Sequence, residues 1–148
     1  FARCASAGIS GIIVPDMPLE EKGEVADIAA KRGVDVISLI APTSKERIAK
    51  IAKSATGYIY IVSSMGVTGM RSEITTDLES IVRVVKENTS VPAAIGFGIN
   101  TPEQAKKYAG IADGVIVGSA IVKIIEKYGE NAAEPVYNYV KEMADAVK

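Results

Sequence analysis

Short apolar runs alternate along the chain with longer segments in which apolar residues recur every three or four positions. This is the signature of repeated strand–helix units. The first run covers 9–14 and is broken by Pro15-Asp16-Met17-Pro18. A helix is predicted over 19–31, acidic at its start (Glu20, Glu21) and basic at its end (Lys31, Arg32), with Gly33 as its stop. A second strand over 34–40 ends before Pro42, and Thr43 or Ser44 caps a helix that runs to about Ala55. Further strands are predicted over 58–63, 91–96 and 114–117. The helices after them cover about 74–87, a segment opened by Asn100-Thr101-Pro102-Glu103, and a segment from Gly118-Ser119 to about Tyr128. A last amphipathic helix spans about 132–147. The opening residues read as the end of another helix, so further chain is expected before Phe1.

Five strands, each followed by a helix, with no low-complexity linker between them, predict one α/β domain over 1–148. Parallel strands with crossover helices leave two architectures open, a doubly wound sheet or a closed barrel. Five units could form the first unaided and the second only within a longer chain.

Composition narrows the chemistry. Hydrophobic residues make up 48% and charged residues 24% of the 148, and the formal net charge is −1. That balance calls for neither nucleic acid nor anionic lipid, and the absence of Trp argues against a base-stacking surface. No apolar run reaches the roughly 18 residues that a spanning helix needs. Cys4, as the single cysteine, cannot form an internal disulfide, which fits a reducing, cytoplasmic compartment. With no His, the chain has no Ser-His-Asp triad, no Cys-His pair and no His-ligated metal. Acid–base chemistry would fall to carboxylates, Lys or Tyr, and neither a metal nor a cofactor is expected.

Three glycine-bearing loops follow the third, fourth and fifth strands: Gly66-Val67-Thr68-Gly69, Gly96-Phe97-Gly98-Ile99 and Gly118-Ser119. A single glycine at such a turn is most often only a turn residue. Three at the same end of consecutive strands favour phosphate binding, because glycine lets backbone N–H groups approach an anion and helix N-termini lie close by. Asp16 follows the first strand between two prolines; it is either a turn-forming Asp or a polar group on the catalytic end. Tyr58 and Tyr60 face one side of their strand, opposite Ile59 and Ile61, and either fill a core or reach a ligand. Glu20, Glu21 and Glu24 read as a solvated face, as do Lys123, Glu126 and Lys127, and Cys4 reads as a small core residue.

Taken in order, these segments resemble a known family. Val14-Pro15-Asp16-Met17-Pro18-Leu19-Glu20-Glu21 is similar to the segment after the fourth barrel strand of tryptophan synthase α subunits. Ala41-Pro42-Thr43 with Arg47-Ile48 is similar to the stretch after the fifth. Gly57-Tyr58-Ile59-Tyr60 with Ser64-Met65-Gly66-Val67-Thr68-Gly69 resembles the sixth strand and its loop. Gly96-Phe97-Gly98-Ile99 and the run from Asp113 to Val122 resemble the seventh and eighth units.

The resemblance implies a TIM (β/α)8 barrel, represented here by units four to eight, the C-terminal portion of the fold. It implies retro-aldol cleavage of indole-3-glycerol phosphate to indole and glyceraldehyde 3-phosphate in tryptophan biosynthesis, a carbon–carbon lyase reaction. The partner it implies is the tryptophan synthase β subunit, in a heterotetramer. Carried over by position, Gly69, Gly98, Gly118 and Ser119 hold the substrate phosphate, Phe97 packs on the indole and Tyr60 lines the pocket. Thr68 belongs to the loop that closes over substrate, and Asp16 and Pro18 lie at the β-subunit interface. The family's catalytic Glu and Asp lie on earlier units, so no residue here is assigned to catalysis and the chain alone is expected to be nearly inactive. Competing readings are another phosphate-binding barrel, an isomerase or epimerase, and a non-catalytic phosphate-binding module.

Overall fold

The computed structural model describes residues 1–63, 77–96 and 98–148. Five strands, β1 (Gly11–Ile13), β2 (Asp35–Ile40), β3 (Ile59–Val62), β4 (Ala93–Gly96) and β5 (Gly114–Val115), form one parallel sheet in the order β1-β2-β3-β4-β5. The helices are α1 (Ala2–Ser6), α2 (Gly23–Ala30), α3 (Lys45–Lys53), α4 (Leu78–Asn88), α5 (Pro102–Ala109), α6 (Ser119–Tyr128) and α7 (Ala133–Ala146). A 3₁₀ turn, Gly129–Asn131, joins the last two.

The strand order decides between the two architectures that the sequence leaves open. A doubly wound sheet reverses its order at a switch point. Here every strand pairs with its neighbour in sequence. Helices α3, α4 and α5 share one buried cluster with β2, β3 and β4, and the general right-handed rule for such crossovers sets helices that always advance in the same direction on one face. That is the wall of a (β/α) barrel.

The core lies between this wall and its helices. Ile40, Ile59, Ile61 and Ile95 point outward and are fully buried against Ile48, Ile51, Ile81, Val82 and Val85 of α3 and α4. A smaller cluster, Ala29, Val34 and Val36, closes α2 on the β1 side, with half-buried Cys4 packed against it as expected of a small core residue. On the other face, Leu39, Tyr60, Ala94 and Gly114 form one register row across four strands.

Local chemistry explains where the elements begin. The Ser44 hydroxyl accepts the Arg47 N–H at 3.3 Å and caps α3, which settles the choice between Thr43 and Ser44. Helix α4 starts at Leu78, later than the periodicity suggests. Asp77 caps it, accepting from the Ser80 N–H at 3.1 Å and the Ser80 hydroxyl at 2.6 Å. Helix α2 also starts late. Glu21 N–H bonds Pro18 O at 3.1 Å and Lys22 N–H bonds Leu19 O at 3.3 Å, turn bonds of three-residue span. True helical register begins only with Ala26 N–H to Lys22 O at 3.0 Å.

Candidate functional site

The strand ends that carry the glycine loops are level. Val62 pairs with Gly96, the Ser63 N–H donates to Gly96 O at 3.0 Å, and the Ile116 N–H donates to Ile95 O at 2.8 Å. The connections after β3, β4 and β5 therefore leave the sheet side by side at its C-terminal end, where barrels build their sites.

At this end the inner face is shaped by one close contact. Tyr60 lies opposite Ala94, and its ring leans diagonally over Gly96. A Cβ built on Gly96 would overlap the Tyr60 hydroxyl and ring carbons, so only glycine lets β4 pass beneath the tyrosine. The pairing is a register effect, since residues two apart across a strand pair lie within reach of an aromatic side chain. With Leu39 on one side and Ala94 and then Gly114 on the other, Tyr60 is the largest side chain of this register row.

The two described glycine connections differ in what they leave open. After β4, Gly98 has φ +84°, the left-handed region that glycine favours, and its carbonyl accepts from Asn100 Nδ2 at 2.8 Å. Helix α5 then begins with a capping box. The Thr101 hydroxyl accepts the Gln104 N–H at 3.3 Å, and Gln104 Oε1 accepts the Asn100 and Thr101 N–H groups at 2.8 and 3.3 Å. Its first donors are thus engaged by its own residues. Helix α6 is different: Gly118 occupies its N-cap and offers no side chain to cap it. The first backbone bond back to Gly118 O comes from the Val122 N–H at 3.1 Å, so the earlier N–H groups, beginning at Ser119, are those that a helix start presents to an external acceptor. A Cβ built on Gly118 meets no described atom within 4 Å. The ten-residue α6 therefore turns an anion-accepting N-terminus, unobstructed among the described residues, to the end of β5.

The β4–β5 seam is fixed at the opposite end of the sheet. Asp113 Oδ2 accepts the Ala93 N–H at 2.9 Å, and Asp113 Oδ1 pairs with Lys86 Nζ at 3.2 Å. The Ala93 N–H first, and then Lys86, hold the Asp113 carboxyl below the ordinary carboxylate range. Helix α7 is tied in by the Tyr139 hydroxyl, which donates to Asn100 O at 2.9 Å.

Gly98, Gly118 and Ser119 thus follow neighbouring strands at one end of the sheet, and the Tyr60 ring on β3 leans toward that end over Gly96. Asp16 and Pro18 follow β1, at the opposite edge. Asp16 is exposed at the tip of a turn closed by the Met17 N–H to Val14 O at 3.2 Å, and Pro18 is half-buried. Thr68, Gly69 and Phe97 lie outside the described residues. Sequence reasoning missed three features here: the partnership of Tyr60 with Gly96, the Asp113 clamp, and the bidentate pair of Glu20 with Arg47 at 2.9 and 3.1 Å. The first was accessible from strand register. The other two join residues 20 to 27 positions apart, a relation no local pattern carries. Among the described residues, no group of three or more His, Cys, Asp or Glu could hold a metal ion, and no helix is long and apolar enough to cross a membrane.

The family model described as tryptophan synthase alpha chain matches residues 1–148. The tryptophan synthase alpha chain of Lacticaseibacillus casei is 52% identical over 145 residues, covering 98% of this chain and 54% of that protein. That of Caldanaerobacter subterraneus is 53% identical over 129 residues, covering 87% of this chain and 49% of the relative. Among solved structures, the tryptophan synthase a2b2 complex of Pyrococcus furiosus superimposes with a TM-score of 0.84 at 35% identity, covering 97% of this chain and 59% of the other. The chain spans about half the length of the curated relatives it matches. On the whole-length match and the identities around one half, this chain belongs to the tryptophan synthase alpha chain family.

Proposed function

We propose that this chain is the C-terminal portion of a cytoplasmic tryptophan synthase alpha chain, a single domain that supplies the phosphate and indole part of the site. The complete protein, on this reading, is a carbon–carbon lyase that cleaves indole-3-glycerol phosphate to indole and glyceraldehyde 3-phosphate. It hands the indole to a β subunit docked near Asp16 and Pro18. The observation that carries the reading is the uncapped start of α6 at Gly118-Ser119, open to an anion, on the same sheet end as Tyr60.

The division of labour follows from the chemistry. A phosphate dianion gains from the N–H groups and dipole at the α6 start, and from close backbone approach at Gly98 and Gly69. Tyr60 walls the pocket where the indole would lie, with Phe97 against the ring. Thr68 acts from the closing loop. Breaking the carbon–carbon bond needs a general acid and a general base, a contribution of roughly 10²–10⁴-fold in rate, and no residue of this chain is assigned to either role. What this chain does is bind and orient.

Titration calorimetry with glycerol 3-phosphate tests the assignment, comparing the parent chain with Gly118→Val. Gly118 has φ −124°, outside the left-handed region, and a Cβ built on it meets no described atom within 4 Å, so the added side chain enters the space in front of the α6 start. Saturable binding that weakens at least tenfold in the variant is expected. Equal binding by both chains would remove α6 from the phosphate site.

A further inference from the structure

The connection between β1 and α2 is tethered to helix α3 at two places that its turn chemistry does not require. Near the start of α3, Arg47 grips Glu20 in a bidentate pair, Nη1 to Oε1 at 2.9 Å and Nη2 to Oε2 at 3.1 Å. Near its end, Lys22 Nζ donates to Ser54 O at 3.0 Å and to Ser38 Oγ at 2.8 Å. Ser54 is the C-cap of α3, where the helix dipole favours a cation, and Ser38 is a buried residue of β2. Positions 47 and 54 stand about 10 Å apart along a helix at 1.5 Å per residue, so the two tethers straddle α3.

We infer that Lys22, with the Glu20–Arg47 pair, is a positioning device that holds the 14–22 connection in one shape, so that Asp16 and Pro18 meet the partner subunit already ordered.

Packing alone does not hold this connection. Met17 packs against the smaller core cluster and Leu19 against the larger one, so the segment straddles the junction of the two. Beneath it, Met17, Pro18, Leu19, Lys22 and Ser38 line a cavity of about 40 Å³ that their side chains leave unfilled. The polar tethers therefore fix what the apolar contacts leave loose. Lys22 is the more enclosed of the two. It is half-buried, and its hold rests on its two hydrogen bonds, because burial disfavours its charged form and lowers its amine below the usual lysine value, with Asp35 opposing the shift. The Glu20–Arg47 pair is exposed, so its contribution rests on its two-point geometry rather than on its charge. A segment ordered before docking avoids the loss of loop entropy at the interface.

This inference rests on the proposed partnership, and the test separates the two. The parent chain, Lys22→Met, the double variant Lys22→Met/Ser38→Ala, and the charge swap Glu20→Arg/Arg47→Glu are each titrated with a tryptophan synthase β subunit. Amide hydrogen exchange is followed over 14–26. The double variant removes Ser38's polar atom together with its donor, so a weakened interface cannot be blamed on a stranded hydroxyl. The expected result is about tenfold weaker β-subunit binding and faster exchange at Glu21, Lys22 and Ala26 in both Lys22 variants. Glycerol 3-phosphate binding should be unchanged, and the charge swap should stay near the parent. Parent-like β-subunit affinity and exchange in the Lys22 variants would overturn the inference. If the parent itself fails to bind the β subunit, the proposed partnership falls. Unchanged exchange in the variants then still overturns the tether, and faster exchange still upholds it.

Discussion

The outer and inner faces of β3 and β4 are built from alternate residues of the same strands, yet they do different things. Outward, Ile59, Ile61 and Ile95 are fully buried beneath α3 and α4. Inward, Tyr58, Tyr60 and Ala94 stay half-buried, with glycines at 96 and 114. The outer face is completed by the chain's own helices and carries stability. The inner face stays partly open and sets two tyrosines beside alanine and glycine. A one-residue step along β3 thus separates a residue buried under the helices from one that faces the interior side of the wall.

The strongest way to break that contrast is to hollow the outer face. Ile61→Ala removes a fully buried side chain and should cost about 2–5 kcal/mol by chemical denaturation. Tyr60→Ala, its inward neighbour, should cost clearly less; an equal loss would mean that the two faces share one role. On the inner face, Gly96→Ala drives a methyl group into the Tyr60 ring and should cost about 1–3 kcal/mol. In a Tyr60→Ala background that cost should largely vanish, a coupling that a double-mutant cycle reads directly. Additive costs would place the strain elsewhere.

The smallest effect belongs to the β4–β5 seam, common to both faces. Asp113→Ala leaves the Ala93 N–H without its acceptor and should cost about 1–2 kcal/mol. The pH dependence has a definite sign. Because the folded carboxyl titrates below its ordinary value, its contribution is present above the ordinary carboxylate range and is lost as pH falls through the lower folded value. Thermal melts between pH 7 and about pH 2 should show the parent losing its advantage over Asp113→Ala in that acid window. A constant difference would refute the clamp.

Much of this was legible in the sequence. The described strands and longer helices were marked by their period, because the strands are short and the helices amphipathic. The boundaries were less exact, since α2 follows Lys22 and α7 follows Ala132 without a side-chain cap. The strand order was not legible in the periodicity, since crossover units of this length serve both a wound sheet and a barrel; the resemblance implied the barrel, and the pairing establishes the order. The candidate site divides in the same way. Gly98, Gly118 and Ser119 could be named from their place after strands, but periodicity could not say that α5 engages its own first donors while no described side chain caps α6. That difference lies in Gln104 reaching back to the backbone of Asn100 and Thr101. The acidic residues before α2 read as solvated. They are exposed, and yet Glu20 has a partner 27 positions away.

The sequential strand order has a further consequence, for the way the chain comes together. Gly11 pairs with Asp35, 24 residues on; Ser38 with Ile59, 21 on; Ile59 with Ala93, 34 on; Ala94 with Gly114, 20 on. No pairing requires one strand to wait for a distant one, and the closure entropies of the longest and shortest steps differ by only about 0.5 kcal/mol. The wall can grow one unit at a time from whichever pair forms first, like a row of staves set edge to edge. It can accept another unit at either edge without rethreading what is already in place.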